Sequence, residues 1–207
     1  MNRLDNRDEE SVTQEDITAG SRTAQEVASQ PACWRHAARL AADVAGSLPA
    51  PGERVAVAGC GTSWFMAQSY AAAREQAGHG ETDAFAASEM PAGRRYDRVL
   101  VLSRSGTTTE IVQLLGRLAG TVPTVAITAD AQSPVGRAAG HAIDLGFADE
   151  ESVVQTRFAT TELALLRAVA MQPQRVVLIA GRGDRLDHAI AAIGALGAPD
   201  LAAVPAV

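Results

Sequence analysis

The stretch VLVLSRSGTTTE at positions 99–110 decides the fold and the candidate site of this chain. Four apolar residues, a hydroxyl-rich turn and a renewed apolar pattern from Ile111 predict a buried strand, a loop and a helix. Gly106 permits a tight turn and a close approach of the backbone to a ligand. The unpaired backbone N–H groups at the start of the helix favour an anion.

Five hydroxyl side chains lie within the seven positions from Ser103 to Thr109. Hydroxyl groups can donate to several oxygens of one phosphate, so the turn indicates an anion site. The alternative is an ordinary helix cap, because Thr107 and Glu110 have the spacing of a capping box. A cap needs a single hydroxyl, and the presence of five therefore favours anion binding over capping alone.

Composition excludes several classes of function. The 207 residues carry a net charge of −6 and 47% hydrophobic residues, enough for one globular α/β domain and part of another, without the basic character of a nucleic-acid-binding protein. Cys33 and Cys60 make neither a disulfide framework nor a zinc site. No apolar run reaches the length of a membrane span, and the polar N-terminus is unlike a secretory signal, so we expect a cytoplasmic protein that binds neither membrane nor metal.

Strand patterns alternate with helix patterns, which predicts an α/β fold of right-handed βαβ units around a parallel sheet, with helices on both faces. Ligands of such sheets bind outside the carboxyl ends of the strands. The expected strands lie near Val55, Phe85, Val99, Val125 and Ile143.

The chain divides into three segments. Residues 1–21 are acidic and poor in large apolar residues, which predicts a disordered leader. Residues 22–172 form the α/β domain, whose first helical pattern is interrupted by Pro31 and therefore predicts a short helix followed by a longer one. Residues 173–207 begin with a strand and a glycine turn, the start of a second unit that the chain does not complete. A helix over 156–171 carries more apolar surface than one sheet contact needs, which predicts a homo-oligomer.

The first strand ends in a glycine turn. Gly59 and Gly61 have the spacing of a dinucleotide fingerprint, but Trp64 stands where the third glycine is needed, so no dinucleotide cofactor is predicted. Thr62 and Ser63 either cap the next helix or add hydroxyls to the anion site, and the spacing leaves both open.

Four motifs follow one another along the chain: GCGTS at 59–63, ASEM at 87–90, SRSGTTTE at 103–110 and EESVVQT at 150–156. Together they resemble the SIS (sugar isomerase) domain family. Their order is similar to the first SIS domain of glucosamine-6-phosphate synthases, and the residues of the loop at 103–110 and of the segment at 150–156 are more similar to the AgaS-like sugar-phosphate isomerase/deaminase group. The resemblance implies a SIS-type, flavodoxin-like three-layer sandwich with a five-stranded parallel sheet, and a protein that forms homodimers.

The resemblance implies a sugar-phosphate site, with Ser103, Ser105 and Thr108 holding the phosphate. Arg104 either adds a charge-assisted bond or faces solvent. Glu89 is as compatible with a solvated turn as with a ligand contact. Glu150 and Glu151 are interpreted mainly as a charge complement to the helix that follows. The residues implied at the site are Gly61, Thr62, Ser63, Ser103, Arg104, Ser105, Thr108, Ser152 and Val153.

The expected function is phosphosugar binding, with aldose–ketose isomerisation or amino-sugar-phosphate deamination as the reaction. Such chemistry needs a base, a polarising donor and a fixed phosphate, and only the third is evident in the sequence. The four histidines have no supporting motif, and no residue matches the acid/base carboxylate or the ring-opening histidine of the family. The catalytic residues stay unassigned. The alternatives are a non-catalytic phosphosugar-binding module and a truncated enzyme.

Overall fold

The continuous apolar runs of the sequence form the strands of one parallel sheet. Helices cover both faces of this sheet, and for this reason its strands are apolar on both sides. The computed structural model describes residues 14–152 and 154–170, with side chains from residue 22 onward. Single 3-10 turns add to the helices and strands, which are, in chain order, α1 (Gln14–Val44), β1 (Val55–Gly59), α2 (Thr62–Gln76), β2 (Thr82–Ala86), β3 (Arg98–Leu102), α3 (Thr109–Leu118), β4 (Thr124–Thr128), α4 (Pro134–Ala138), β5 (His141–Asp144) and α5 (Arg157–Ala170).

The strand order is β2-β1-β3-β4-β5, and every neighbouring pair is parallel. The five-stranded parallel sheet expected from the sequence is therefore confirmed. The chain winds from β1 outward to β2, then returns to β3 and winds in the opposite direction to β5. The reversal falls between β1 and β3, and this is the place where ligands bind in open parallel sheets.

The two faces of the sheet differ in the size of their side chains. Leu100, Leu102 and Ile127 point to the face covered by α1, α2 and α5, and each is fully buried. On the other face Ala58 and Ala126 leave room for α3 and α4 to lie close to the sheet. Burial of each large aliphatic side chain contributes about 1.5–3 kcal/mol, so the first face carries most of the hydrophobic stabilisation.

Helix α1 corrects two predictions. It continues through Pro31 without a break, although an interior proline costs about 3 kcal/mol, so the prediction of two helices is wrong. Its buried stripe of Cys33, Ala37 and Ala41 packs in the core beside α5, and this tertiary contact outweighs the local penalty. The helix begins at Gln14, so residues 14–21 of the predicted leader are helical. Extension of a helix that has already formed costs little compared with its nucleation.

Other predictions fall on parts of the chain outside the described residues. These are residues 1–13 of the leader and the start of a second unit at 173–207. The apolar residues of α5 on which association was predicted, among them Phe158, Leu165 and Leu166, are buried within the core shared with α1 and α2. They therefore form no free surface, and the homo-oligomer stays a prediction.

Candidate functional site

The turns after β1 and β3 lie side by side at the carboxyl edge of the sheet, where the winding reverses. Gly59 and Leu102, the last residues of these two strands, are register partners. The fold therefore brings the two motifs at 59–63 and 103–108 together at the position where parallel sheets bind ligands. The connections that follow β2 and β5 begin at the same edge.

The hydroxyl groups of the turn after β3 bond to one another. The Ser103 and Thr108 hydroxyl oxygens lie 3.1 Å apart, with Ser103 buried and Thr108 half-buried. The exposed Ser105 hydroxyl accepts hydrogen bonds from the Thr107 backbone N–H (3.3 Å) and the Thr107 hydroxyl (3.1 Å). The turn thus holds several hydroxyls whose hydrogen bonds are to one another, and a hydroxyl can both donate and accept.

The start of α3 settles the alternative of an ordinary cap. Thr108 is the N-cap residue, and its side chain makes no capping hydrogen bond. The capping box from Thr107 to Glu110 is therefore not the arrangement that the structure adopts. By contrast, α4 begins with an ordinary cap, with Pro134 in its first turn and the Ser133 hydroxyl accepting from the Gly136 N–H at 3.2 Å.

Gly106 is required by both backbone and packing. Its φ of 63° lies in the left-handed region that side chains rarely adopt. A Cβ atom there would stand 1.9 Å from the Ser133 hydroxyl oxygen and 2.9 Å from the Thr128 hydroxyl oxygen. The Gly106 carbonyl also accepts from the Val135 N–H at 2.8 Å, so the turn is held against the start of α4.

Arg104 reaches the loop that follows β5. Its guanidinium donates to the Asp149 carboxylate at 3.3 Å and to the Glu150 backbone carbonyl. Arg104 therefore links the turn after β3 to the fourth motif and is not the solvated charge considered from the sequence. The charge-assisted contact with a ligand stays a prediction.

Glu150 caps α5. Its buried carboxylate accepts from the backbone N–H groups of Thr156, Arg157 and Phe158, at 2.9–3.2 Å. The interpretation of Glu150 as a charge complement to this helix is confirmed. Glu151 behaves differently, because it is exposed and forms its ion pair with Arg22 of α1 at 3.0 Å.

Ser152 is engaged by α1. Its hydroxyl lies 2.9 Å from the Thr23 hydroxyl, and its backbone N–H donates to the Glu26 carboxylate at 3.3 Å. The same carboxylate oxygen accepts from the Glu151 N–H at 2.7 Å. Burial raises the pKa of Glu26, but the bonds from Ser152 and Glu151 outweigh it and leave the pKa below its usual value. Val153 lies outside the described residues.

The turn after β1 divides its residues between surface and core. Gly61 is exposed and is the N-cap of α2 without a side-chain bond, so neither Thr62 nor Ser63 is the cap considered as an alternative. Thr62 is half-buried, whereas Ser63 is buried. A Cβ on Gly59 would stand 2.5 Å from the Ser63 backbone, so the close packing of α2 on β1 needs that glycine.

Sequence reasoning missed Glu162, a fully buried carboxyl on α5. Burial raises its pKa well above the ordinary value, and the nearby Ser63 hydroxyl offsets only part of that rise. The signal was present, because Phe158, Leu165 and Leu166 define a helical stripe on which position 162 also falls.

The remaining candidates lie at the periphery or elsewhere. Glu89 is exposed in the 3-10 turn after β2. His79 and His141 lie at the amino edge of the sheet, and His36 stacks on Phe147 with ring centroids 3.9 Å apart. None of these histidines is placed at the turns after β1 and β3, and His188 lies outside the described residues.

A cavity of about 430 Å³ lies away from the two turns, between α3 and the connection from β2 to β3. Its charged lining consists of Arg94, Arg95 and Arg117, and it includes none of the predicted site residues. Within residues 14–152 and 154–170, no cluster of three or more His, Cys, Asp or Glu side chains is arranged to hold a metal ion. Over the same residues, no helix combines the length and apolar character of a membrane span.

The chain belongs to the SIS domain family, whose model matches residues 50–172, more than half of the chain. This match covers all four motifs and confirms the resemblance on which the sequence analysis relied. No curated protein matches the chain.

Solved structures share the fold at low sequence identity. A protein of E. coli CFT073 in complex with a phosphosugar is 18% identical over 76% of this chain and 89% of its own, with a TM-score of 0.59. The C-terminal domain of glucosamine-fructose-6-phosphate aminotransferase from Francisella tularensis is 19% identical over 72% of this chain, with a TM-score of 0.61. Glucosamine-6-phosphate deaminase from Thermotoga maritima is 19% identical over 84%, also with a TM-score of 0.61. The chain spans about half the length of the last two, 47% and 52%.

Proposed function

We propose that the chain binds a sugar phosphate where the winding of the sheet reverses. Ser103, Ser105 and Thr108 hold the phosphate together with the first N–H groups of α3, and Thr62 contacts the sugar. The observation that carries this proposal is the start of α3, which lies at the ligand-binding edge, is surrounded by hydroxyls and has no side-chain cap. The phosphosugar complex of one structural neighbour supports the same class of ligand.

The reaction that fits this ligand is aldose–ketose isomerisation or amino-sugar-phosphate deamination, as the names of several neighbours suggest. Both reactions move a proton between C1 and C2, and a fixed phosphate orients those carbons against a base. The hydroxyl turn provides the orientation. The base is not assigned, since the described histidines lie away from the turns.

A phosphosugar-binding module without turnover is the second candidate. It is favoured by the buried carboxylates at the fourth motif, because Glu150 of that motif and Glu26 of α1 accept hydrogen bonds from backbone N–H groups. Glucosamine 6-phosphate and fructose 6-phosphate separate the candidates. Release of ammonia or exchange between aldose and ketose indicates the enzyme, whereas a ligand-induced rise in melting temperature without turnover indicates the module.

Ser105→Ala tests the site itself. Loss of one neutral donor to a phosphate costs about 1.5–3 kcal/mol, so calorimetric titration should show roughly ten- to hundredfold weaker binding of the sugar phosphate. The unphosphorylated sugar should be unaffected. Ser69→Ala, on α2 away from the turn, is the matched control and should bind as the parent does. Equal affinity of Ser105→Ala and the parent contradicts the assignment of the phosphate.

A further inference from the structure

Glu162 differs from the other buried carboxyls of the site. The Glu150 carboxylate accepts from three backbone N–H groups, and the Glu26 carboxylate accepts from two. Both oxygens of Glu162 are buried, and neither has a hydrogen-bond partner within the described part of the chain. A buried ionised carboxylate without partners is strongly disfavoured, so the group needs either a proton or a donor.

The polar side chain that lowers the pKa of Glu162 is that of Ser63. Helices α2 and α5 pack against each other, and the Ser63 hydroxyl is near enough to lower the pKa of the carboxyl, although it does not have the geometry of a formed hydrogen bond. The negative charge of Glu150 acts in the other direction and favours the protonated acid. A protonated carboxyl has one O–H to donate, and a serine hydroxyl can both donate and accept.

Ser63 is buried without a capping role. It stands in the first turn of α2 at the carboxyl edge of β1, and Gly61 rather than Ser63 is the N-cap residue. Its neighbours Gly61 and Thr62 are accessible. A hydrogen bond from Glu162 to the Ser63 hydroxyl would therefore fix the turn between β1 and α2, whose accessible residues lie at the candidate ligand site.

We propose that Glu162 is a positioning residue that holds the Ser63 hydroxyl, and with it the turn between β1 and α2, in the geometry that binds the sugar phosphate. The inference rests on the proposed function for its ligand, and it adds a residue that no sequence motif marked. Glu162 is fully buried and so acts through Ser63 rather than by touching the ligand. The proton that it carries is donated to the Ser63 oxygen and is not consumed.

Binding by conservative variants tests the positioning role. Glu162→Gln keeps a neutral donor of the same shape and should bind glucosamine 6-phosphate or fructose 6-phosphate as the parent does. Glu162→Leu removes the donor and should bind about tenfold more weakly. Leu165→Ala, which alters the core on the same helix, should lower the melting temperature and leave the affinity of the folded protein unchanged. Equal affinity of folded Glu162→Leu and the parent overturns the positioning role.

A measurement without ligand keeps the proposal testable if Glu162→Leu does not fold or if the parent binds no sugar phosphate. The infrared difference spectrum between the parent and Glu162→Gln should show the carbonyl band of a protonated carboxylic acid at neutral pH, and this band should shift in Ser63→Ala. A missing band, or a band unchanged in Ser63→Ala, overturns the pairing. If the band is present in the parent and shifts in Ser63→Ala, but the parent binds neither sugar phosphate, the pairing of Glu162 with Ser63 holds and the proposed function is contradicted.

Discussion

Helices α3 and α5 both begin at the carboxyl edge of the sheet, and their first turns are satisfied in opposite ways. At α5 the Glu150 carboxylate lies on three backbone N–H groups. At α3 the side chain of the N-cap residue Thr108 makes no capping hydrogen bond, and the hydroxyls of Ser103 and Thr108 lie beside the helix start. The start of α5 thus holds an anion of the chain itself, whereas among the described residues no carboxylate accepts from the backbone N–H groups at the start of α3. The Glu150 carboxylate already occupies the start of α5, and this difference supports the proposed phosphate contact at the start of α3.

The largest effect is expected when the anion of α5 is removed. Glu150→Ala leaves three N–H groups of a buried helix start without their acceptor, and we expect a loss of about 3 kcal/mol in the free energy of unfolding. Urea denaturation measures the change. Glu150→Gln retains a neutral acceptor and should lose less. A Glu150→Gln variant as stable as the parent would show that the charge of Glu150 contributes nothing to α5.

The next effect concerns the backbone of the hydroxyl turn. Gly106→Ala combines a left-handed φ with a Cβ that would overlap the Ser133 side chain, and should cost about 2–3 kcal/mol of unfolding free energy. Gly120→Ala is the matched control, because its φ of 70° is similar while a Cβ there meets nothing within 4 Å. The control should cost only about 1 kcal/mol. Equal costs would mean that Gly106 serves the conformation alone and not the contact with α4.

The smallest effect concerns the loop that leads into α5. Because the folded-state pKa of Glu26 is lowered, the ionised carboxylate stabilises the protein above its unfolded-state pKa, and this stability is lost as the pH falls through the folded-state value. Glu26→Gln should therefore cost about 1 kcal/mol at neutral pH and nothing in acid, which urea midpoints over a pH series would measure. A difference that persists in acid would show that charge is not the cause.

The sheet and the location of the site could be predicted because both depend on local patterns. Apolar runs such as the one ending at Leu102 identify buried strands, and the turns that follow parallel strands must meet at one edge. The direction of individual side chains depends on tertiary packing. The sequence does not show that Arg104 reaches Glu150, that the carboxyl of Glu162 is fully buried, or that the contacts of α1 outweigh Pro31.

The comparison of the two helix starts is tested most directly by following backbone amides during a titration with glucosamine 6-phosphate or fructose 6-phosphate. In an NMR titration, the amide resonances of Thr109 and Glu110 at the start of α3 should shift as the sugar phosphate binds. Those of Arg157 and Phe158, already bonded to Glu150, should stay in place. Saturable shifts at α5 and none at α3 would contradict the account.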